Sequence, residues 1–367
     1  MKLTDKEKNR YNRHLILDKV GEAGQLKLKQ AKVLVVGAGG LGCPVLQYLA
    51  AAGVGTIGII DNDKVDESNL QRQVLYNTED IGQLKAEVAA KKLAIQNPLI
   101  NINSIVERLT AKNAINIFQE YDIIVDGTDN FATRYLINDA SVITEKPLVF
   151  GSIYKFEGQV AVFNYKNSPS YRCLFSEAPT PGTVLNCSEI GVLGVLPGLI
   201  GMYQANEVVK IILEIGNILN GQVMLLNTLD NSRHIIKVVR NEEEIAKVKE
   251  RANSFDSFDY DYFCNASNNE NNKEISSTDF SEAIKDGILI LDVREEYEEP
   301  KIEGTNVICI PMAEVTSKVA QLDKQNKMIV CCQNGNRSKA VIEQLEKEYG
   351  FTNLVGLKGG ISTWDKN

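Results

Sequence analysis

The chain has 367 residues, 44% of them apolar and 24% charged, with a formal net charge of −8. The length is about twice the ~150-residue domain prior, so two domains are expected; the acidic balance excludes a basic footprint for nucleic acid and leaves any phosphate chemistry to a local pocket. Met1 to His14 is charged throughout and no later run approaches ~18 uninterrupted apolar residues, which predicts a cytoplasmic protein with no membrane partner.

In chain order, Ala31–Val36 reads as a strand, Gly37–Gly42 as a glycine turn, Pro44–Ala52 as a helix and Thr56–Ile60 as a second strand, which together make a βαβ unit. Ala86–Ile95 has a helical pattern. Further strands are expected at Asn101–Val106, Ile123–Val125, Leu148–Phe150 and Val160–Phe163. The fold class is therefore α/β, a Rossmann-like and mostly parallel sheet covered by helices. From about Asn241 to Ser277 the composition turns to charge, then to Asn, Ser and Asp, as a solvated linker would. The expected division is a domain over 1–245, a flexible linker over 246–276 and a small α/β domain over 277–367. In that last domain Ile288–Leu291, Val307–Ile310 and Met328–Cys331 read as strands and Lys339–Tyr349 as a helix. No internal repeat is present.

Two segments carry chemistry in the first domain. Gly37-Ala-Gly-Gly-Leu-Gly42 matches G-x-G-x-x-G between strand and helix, where Gly37, Gly39, Gly40 and Gly42 let backbone N–H groups and a helix N-terminus approach phosphate. Asp61, ending the next strand, can accept from ribose hydroxyls. These alone suit a nicotinamide oxidoreductase, or merely a close-packed turn. The following set, Asn69-Leu-Gln-Arg-Gln73, Lys85 and Asp126-Gly-Thr-Asp-Asn130, suits adenylyl transfer instead. A carboxylate attacking the α-phosphate of ATP builds negative charge that Arg72 and Lys85 can stabilise, while Asp129 can hold the bridging Mg²⁺. Each has a bland alternative: solvated cations for Arg72 and Lys85, a helix cap for Asp129.

With Arg10-Tyr-Asn-Arg-His14 and Cys187-Ser-Glu-Ile-Gly-Val-Leu-Gly194 added, the region from about Lys8 to Arg240 resembles the MoeB, ThiF and HesA family of sulfur-carrier adenylyltransferases, relatives of ubiquitin-activating enzymes. The resemblance implies that Gly39, Asp61, Asn69, Arg72 and Lys85 contact ATP and that Asp129 serves magnesium. It implies a homodimer in which Arg13 reaches the partner's nucleotide, and it makes Cys187 a possible acceptor of the activated carrier. The partner implied is a ubiquitin-like sulfur carrier ending in Gly-Gly, of the molybdopterin type, with thiamine and tRNA-thiolation carriers left open. The family often binds zinc through two C-x-x-C pairs. This chain has Ser170-Tyr-Arg-Cys173 at the first and no pair after Val239, so no zinc is expected and Cys173 is read as buried.

In the second domain Cys332-Gln-Asn-Gly-Asn-Arg-Ser338 follows a strand and opens a helix, an arrangement that favours thiolate or persulfide. With Asp292-Val-Arg-Glu295, Pro311 and Gly359-Gly-Ile-Ser-Thr-Trp364 it resembles single-domain rhodaneses. That resemblance implies transferable sulfur on Cys332, an anion-holding Arg337, and structural roles for Asp292 and Arg294. Cys331 and Arg337 also satisfy the C-x5-R pattern of cysteine phosphatases, which makes a phosphatase the alternative. The sulfur is expected from a cysteine desulfurase or another donor.

Overall fold

The computed structural model describes residues 2–179, 191–265 and 274–364, which fall into two compact units. In the first, α1 (Asp5–Arg10), α2 (Asn12–Leu15) and α3 (Gly21–Gln30) precede β1 (Lys32–Val36), whose Val-Leu-Val-Val is buried on both faces as an interior parallel strand requires. The chain continues through α4 (Gly42–Ala52), β2 (Thr56–Ile60), α5 (Lys85–Gln96), β3 (Asn101–Ile105), α6 (Ala111–Gln119), β4 (Ile123–Asp126) and α7 (Phe131–Ile143). β5 (Leu148–Tyr154) and β6 (Glu157–Phe163) follow as a hairpin, then α8 (Tyr171–Leu174), α9 (Val195–Leu213), β7 (Gln222–Asn227) and β8 (Arg233–Lys237).

The eight strands lie in the order β3-β2-β1-β4-β5-β6-β7-β8, parallel from β3 to β5 and antiparallel beyond. Between β1 and β4 the order reverses, and a ligand crevice belongs outside the carboxyl ends of those two strands. Both strands end there in a chemistry-bearing loop. β5 and β6 run longer than the sequence suggested, and β7, β8 and α9 extend the architecture. Among the described residues no helix is long and apolar enough to cross a membrane.

The expected linker requires correction. Its described residues up to 265 are folded: α10 (Glu242–Glu250) and a 3-10 segment (Arg251–Ser257) continue the first unit, and α11 (Tyr260–Asn265) starts where that unit ends, at Asp261. Asn241 caps α10 by accepting from Glu243 N at 3.0 Å, and Ile245, Val248, Phe255 and Tyr260 are buried. The anchor is Asp139 on α7. Its carboxylate takes a fork from the fully buried Arg172 at 2.6 and 2.8 Å, and accepts from the Tyr260 hydroxyl at 2.9 Å. The linker reading failed because the apolar anchors are diluted among Glu, Lys and Asn, and because the element is fastened through a buried ion pair that no periodicity reveals.

The strands of the second unit start with β9 (Glu274–Ile275), inside the range expected to be linker. α12 (Ser277–Lys285) is opened by a reciprocal Ser276–Asp279 capping box. β10 (Leu289–Asp292), β11 (Val307–Cys309), β12 (Met328–Cys331), α13 (Asn336–Tyr349) and β13 (Leu354–Leu357) complete it. The sheet is wholly parallel, ordered β11-β10-β12-β13-β9. Alternation along β12 sends Met328 and Val330 to one core with Val341 and Phe351, and Ile329 and Cys331 to the other with Phe280 and Leu357.

Candidate active sites

The turn after β1 is built by glycines that have no room for a side chain. Gly37 has φ +91°, and a Cβ on it would stand 2.8 Å from Gly127 O; one on Gly42 would stand 2.0 Å from Gly37 O. Gly39 and Gly40 differ: their Cβ positions meet only Gln73 Nε2 at 3.6 Å, and Pro197 at 3.1 Å with Arg72 Cγ at 3.6 Å. The 69–73 segment therefore lies against the turn. A 3-10 turn (Glu67–Asn69), capped by Asp66 at Ser68 N, shapes that segment, and Arg72 Nη1 donates to Ser68 O at 2.9 Å. Asn69 accepts from Asp66 N at 3.4 Å.

Asp61 holds the turn from below, accepting from Ala38 N and Asp63 N at 2.8 Å each. Burial pushes its carboxyl above the usual range, more than those two bonds and nearby Lys85 pull it down. Lys85 opens α5, is buried, and places Nζ 3.0 Å from Asp63. Tyr76, which sequence reasoning missed, donates to Ala38 O at 2.8 Å and so ties the turn to the same neighbourhood.

The loop after β4 comes to the opposite side of the turn. Gly127 N donates to Val36 O at 2.8 Å. Asp126 is fully buried and accepts from Thr128 N and Oγ1 at 2.9 and 2.6 Å. Burial raises its carboxyl pKa against the pull of Arg134. Arg134 donates to Thr128 O at 3.3 Å and lies over the rings of Phe131 and Phe150, while Gln204 Nε2 donates to Asp126 O at 2.7 Å. Neither Arg134 nor Gln204 was legible as part of the site. Asp129 is exposed beside this fixed loop, and the cap of α7 is Asn130, accepting from Thr133 N at 2.9 Å. The bland reading of Asp129 as that cap is thereby corrected.

Two expected residues stand apart from this assembly. Arg13 is exposed on α2, which packs on α1 and α3, and Cys187 lies outside the described residues. Cys173 is half-exposed, a correction to its reading as buried; the four-residue α8 turns its neighbour Arg172 inward instead. Cys173 Sγ accepts from Ser170 N at 3.3 Å and Asn241 N at 3.2 Å. Ser170, Cys173, Asn241 and Glu244 thus stand at the spacing of two C-x-x-C pairs with one thiol among them.

In the second unit Cys332 follows β12 with its side chain buried, Sγ accepting from Ser338 N at 3.3 Å. Gly335 at φ +86° starts α13, and Gly360 has no room: its Cβ would stand 2.4 Å from Cys332 O. Asp292 is occupied by Arg294, which donates to it through N, Nε and Nη2 and also reaches Gln333 Oε1 and Pro300 O. Both residues organise the loop. Arg337 forks onto Glu298 at 2.6 and 2.7 Å. Cys331 points into the other core, where burial first and Asp292 next push its thiol well above the ordinary value. That disfavours Cys331 as a phosphatase nucleophile.

Residues 11–247 match the ThiF family model and residues 276–367 the rhodanese-like domain model. The chain is 40% identical over 378 residues to a probable adenylyltransferase/sulfurtransferase MoeZ of Mycobacterium tuberculosis, covering 99% of this chain and 94% of that protein. It is 39% identical over 379 residues to adenylyltransferase and sulfurtransferase UBA4 of Meyerozyma guilliermondii, covering 99% and 89%. It is 52% identical over 246 residues to a sulfur carrier protein adenylyltransferase of Thermus thermophilus, covering 66% of this chain and 91% of that one. Among solved structures, E. coli MccB with ATP shares the fold at a TM-score of 0.56 and 24% identity, over 65% of this chain and 73% of that chain. On the ThiF match over residues 11–247, with a rhodanese-like domain following it, the chain belongs to the ThiF family.

Proposed function

We propose that the first unit activates the C-terminal glycine of a ubiquitin-like sulfur carrier as an acyl-adenylate and that the second supplies sulfur to it. The observation that carries the reading is the convergence on one glycine turn of Arg72, Lys85 and the Asp129 loop. ATP fits there because Gly39 carries no side chain over the turn, where only Gln73 Nε2 would come near one, and because the turn opens the helix α4. In this reading Asp61 serves the ribose and Asn69 and Arg72 the phosphates. Magnesium, when bound, draws charge from the phosphate oxygens, with Asp129 as its protein carboxylate.

A carboxylate oxygen of the carrier attacks the α-phosphorus, the bond to the β-phosphate oxygen breaks, and pyrophosphate leaves. Arg72 and Lys85 stabilise the charge that develops. The outer sulfur of a Cys332 persulfide then attacks the acyl carbon and AMP leaves. A second thiol, from a reductant or Cys187, cleaves the acyl disulfide: its sulfur bonds to Cys332 Sγ and the carrier departs as thiocarboxylate. The relatives named as adenylyltransferase and sulfurtransferase support this pairing. The molybdopterin-type carrier, the homodimer, the donor desulfurase and the lack of zinc belong to the same proposal; a single thiol among Ser170, Cys173, Asn241 and Glu244 supports the last.

The test is mass spectrometry of the carrier after incubation with ATP and a sulfur source. Asp129→Ala should stop adenylate formation while sulfur still loads onto Cys332, and Cys332→Ala should leave adenylate without thiocarboxylate. Full thiocarboxylate yield from either variant contradicts the assignment of that site.

A further inference from the structure

The sulfur loop contains one cation, Arg337, and the structure does not leave its charge to a substrate. Both terminal nitrogens are forked onto Glu298, a partly buried carboxylate whose Oε1 is also held by Glu295 N at 2.9 Å. Burial favours the neutral acid, but the bonds from Arg337 and Glu295 N outweigh it, so the carboxyl sits below its usual range and the pair is ionised at neutral pH. The other guanidinium tied to this loop, Arg294, is matched by Asp292 and spends its remaining donors on Gln333 and Pro300. Around Glu298 the segment Glu295-Glu-Tyr-Glu-Glu299 carries four glutamates in five positions, with Glu296 and Glu299 exposed. A sulfane-sulfur donor approaching Cys332 therefore meets two neutralised arginines and an excess of negative charge.

Given the sulfurtransferase reading, on which this rests, we propose that Glu298 is a specificity-determining residue: by neutralising Arg337 it disfavours the dianion thiosulfate and leaves the loop to persulfide donors. With either donor, Cys332 thiolate bonds to the outer sulfur. With thiosulfate the S–S bond breaks and sulfite leaves with the bonding pair; with a persulfide the donor thiolate leaves instead. Thiosulfate brings both its charges to the reacting sulfur and needs a compensating cation to enter, whereas a persulfide group, with at most one charge on its sulfurs, can be held by the loop's N–H groups.

The experiment uses the full chain and three probes: thiosulfate with cyanide as acceptor, glutathione persulfide, and a cysteine desulfurase charged with cysteine. Glu298→Gln keeps the shape and removes the charge. Its ratio of kcat/KM for thiosulfate to kcat/KM for each persulfide should rise about tenfold, chiefly through a lower KM for thiosulfate. Glu298→Asp should return the ratio towards that of the unaltered chain. The exposed pair Glu296→Gln/Glu299→Gln should move it the same way by less, an effect that added salt removes. A folded Glu298→Gln chain with an unchanged or lower ratio overturns the proposal, as does an unchanged ratio in the double variant should Glu298→Gln fail to fold. Sulfur loading from only one persulfide identifies which source the loop accepts. If no donor loads Cys332 in the unaltered chain, the sulfurtransferase reading falls with it; if donors load and the ratio stays fixed, Glu298 alone is misassigned.

Discussion

Gly42 and Gly39 belong to one motif but do different work. A methyl group on Gly42 would collide with Gly37 O, so Gly42→Ala should cost about 2–4 kcal/mol in chemical denaturation. On Gly39 the same methyl meets only the tip of Gln73. Gly39→Ala should therefore fold within about 0.5 kcal/mol of the unaltered chain while its KM for ATP rises, because the space filled is the space the proposed site gives to phosphate. Equal destabilisation of the two variants would show that both are packing glycines. The cysteines divide in the same way: burial pushes the Cys43 thiol up to about 12. Roughly one part in ten thousand is then ionised at about pH 8, and Cys43 should resist alkylation in the native chain while exposed Cys309 is labelled.

At the scale of elements, the stretch from Asn241 to Tyr260 depends on a charge pair that the core has closed over. Asp139→Asn leaves Arg172 buried without its counter-charge, and should cost about 3–5 kcal/mol. Limited proteolysis should then cut first within 242–260. Cutting elsewhere first would show that this segment is held by its apolar contacts alone. The β1–α4–β2 unit could be read from the sequence because apolar runs, a glycine turn and strand lengths all agree there. Arg72, Lys85 and Asp129 were singled out in the sequence because the proposed adenylyl transfer calls for such charges near a glycine turn, and the segments that carry them border that turn. Tyr76, Arg134 and Gln204 were not, since each acts through a backbone oxygen distant in sequence, such as Gln204 on Asp126 O. The folded segment after 241 left one local trace, Asn241 ahead of three glutamates and later lysines, a helix start that its linker-like composition hid.

For the whole molecule, the exposed Arg13 gives the proposed dimer a sharp consequence. If it serves the partner's nucleotide, Arg13→Ala and Asp129→Ala homodimers should each be inactive, yet recover about a quarter of full activity when unfolded and refolded together, since half the dimers then carry one intact site of two. No recovery would place Arg13 in its own subunit's site or outside catalysis. The most direct test of the account is exchange of labelled pyrophosphate into ATP, with carriers that differ only in the last residue. Exchange should require a carrier with a free C-terminal glycine carboxylate and should vanish in Asp129→Ala. Exchange without any carrier, or none with a competent one, would contradict the account.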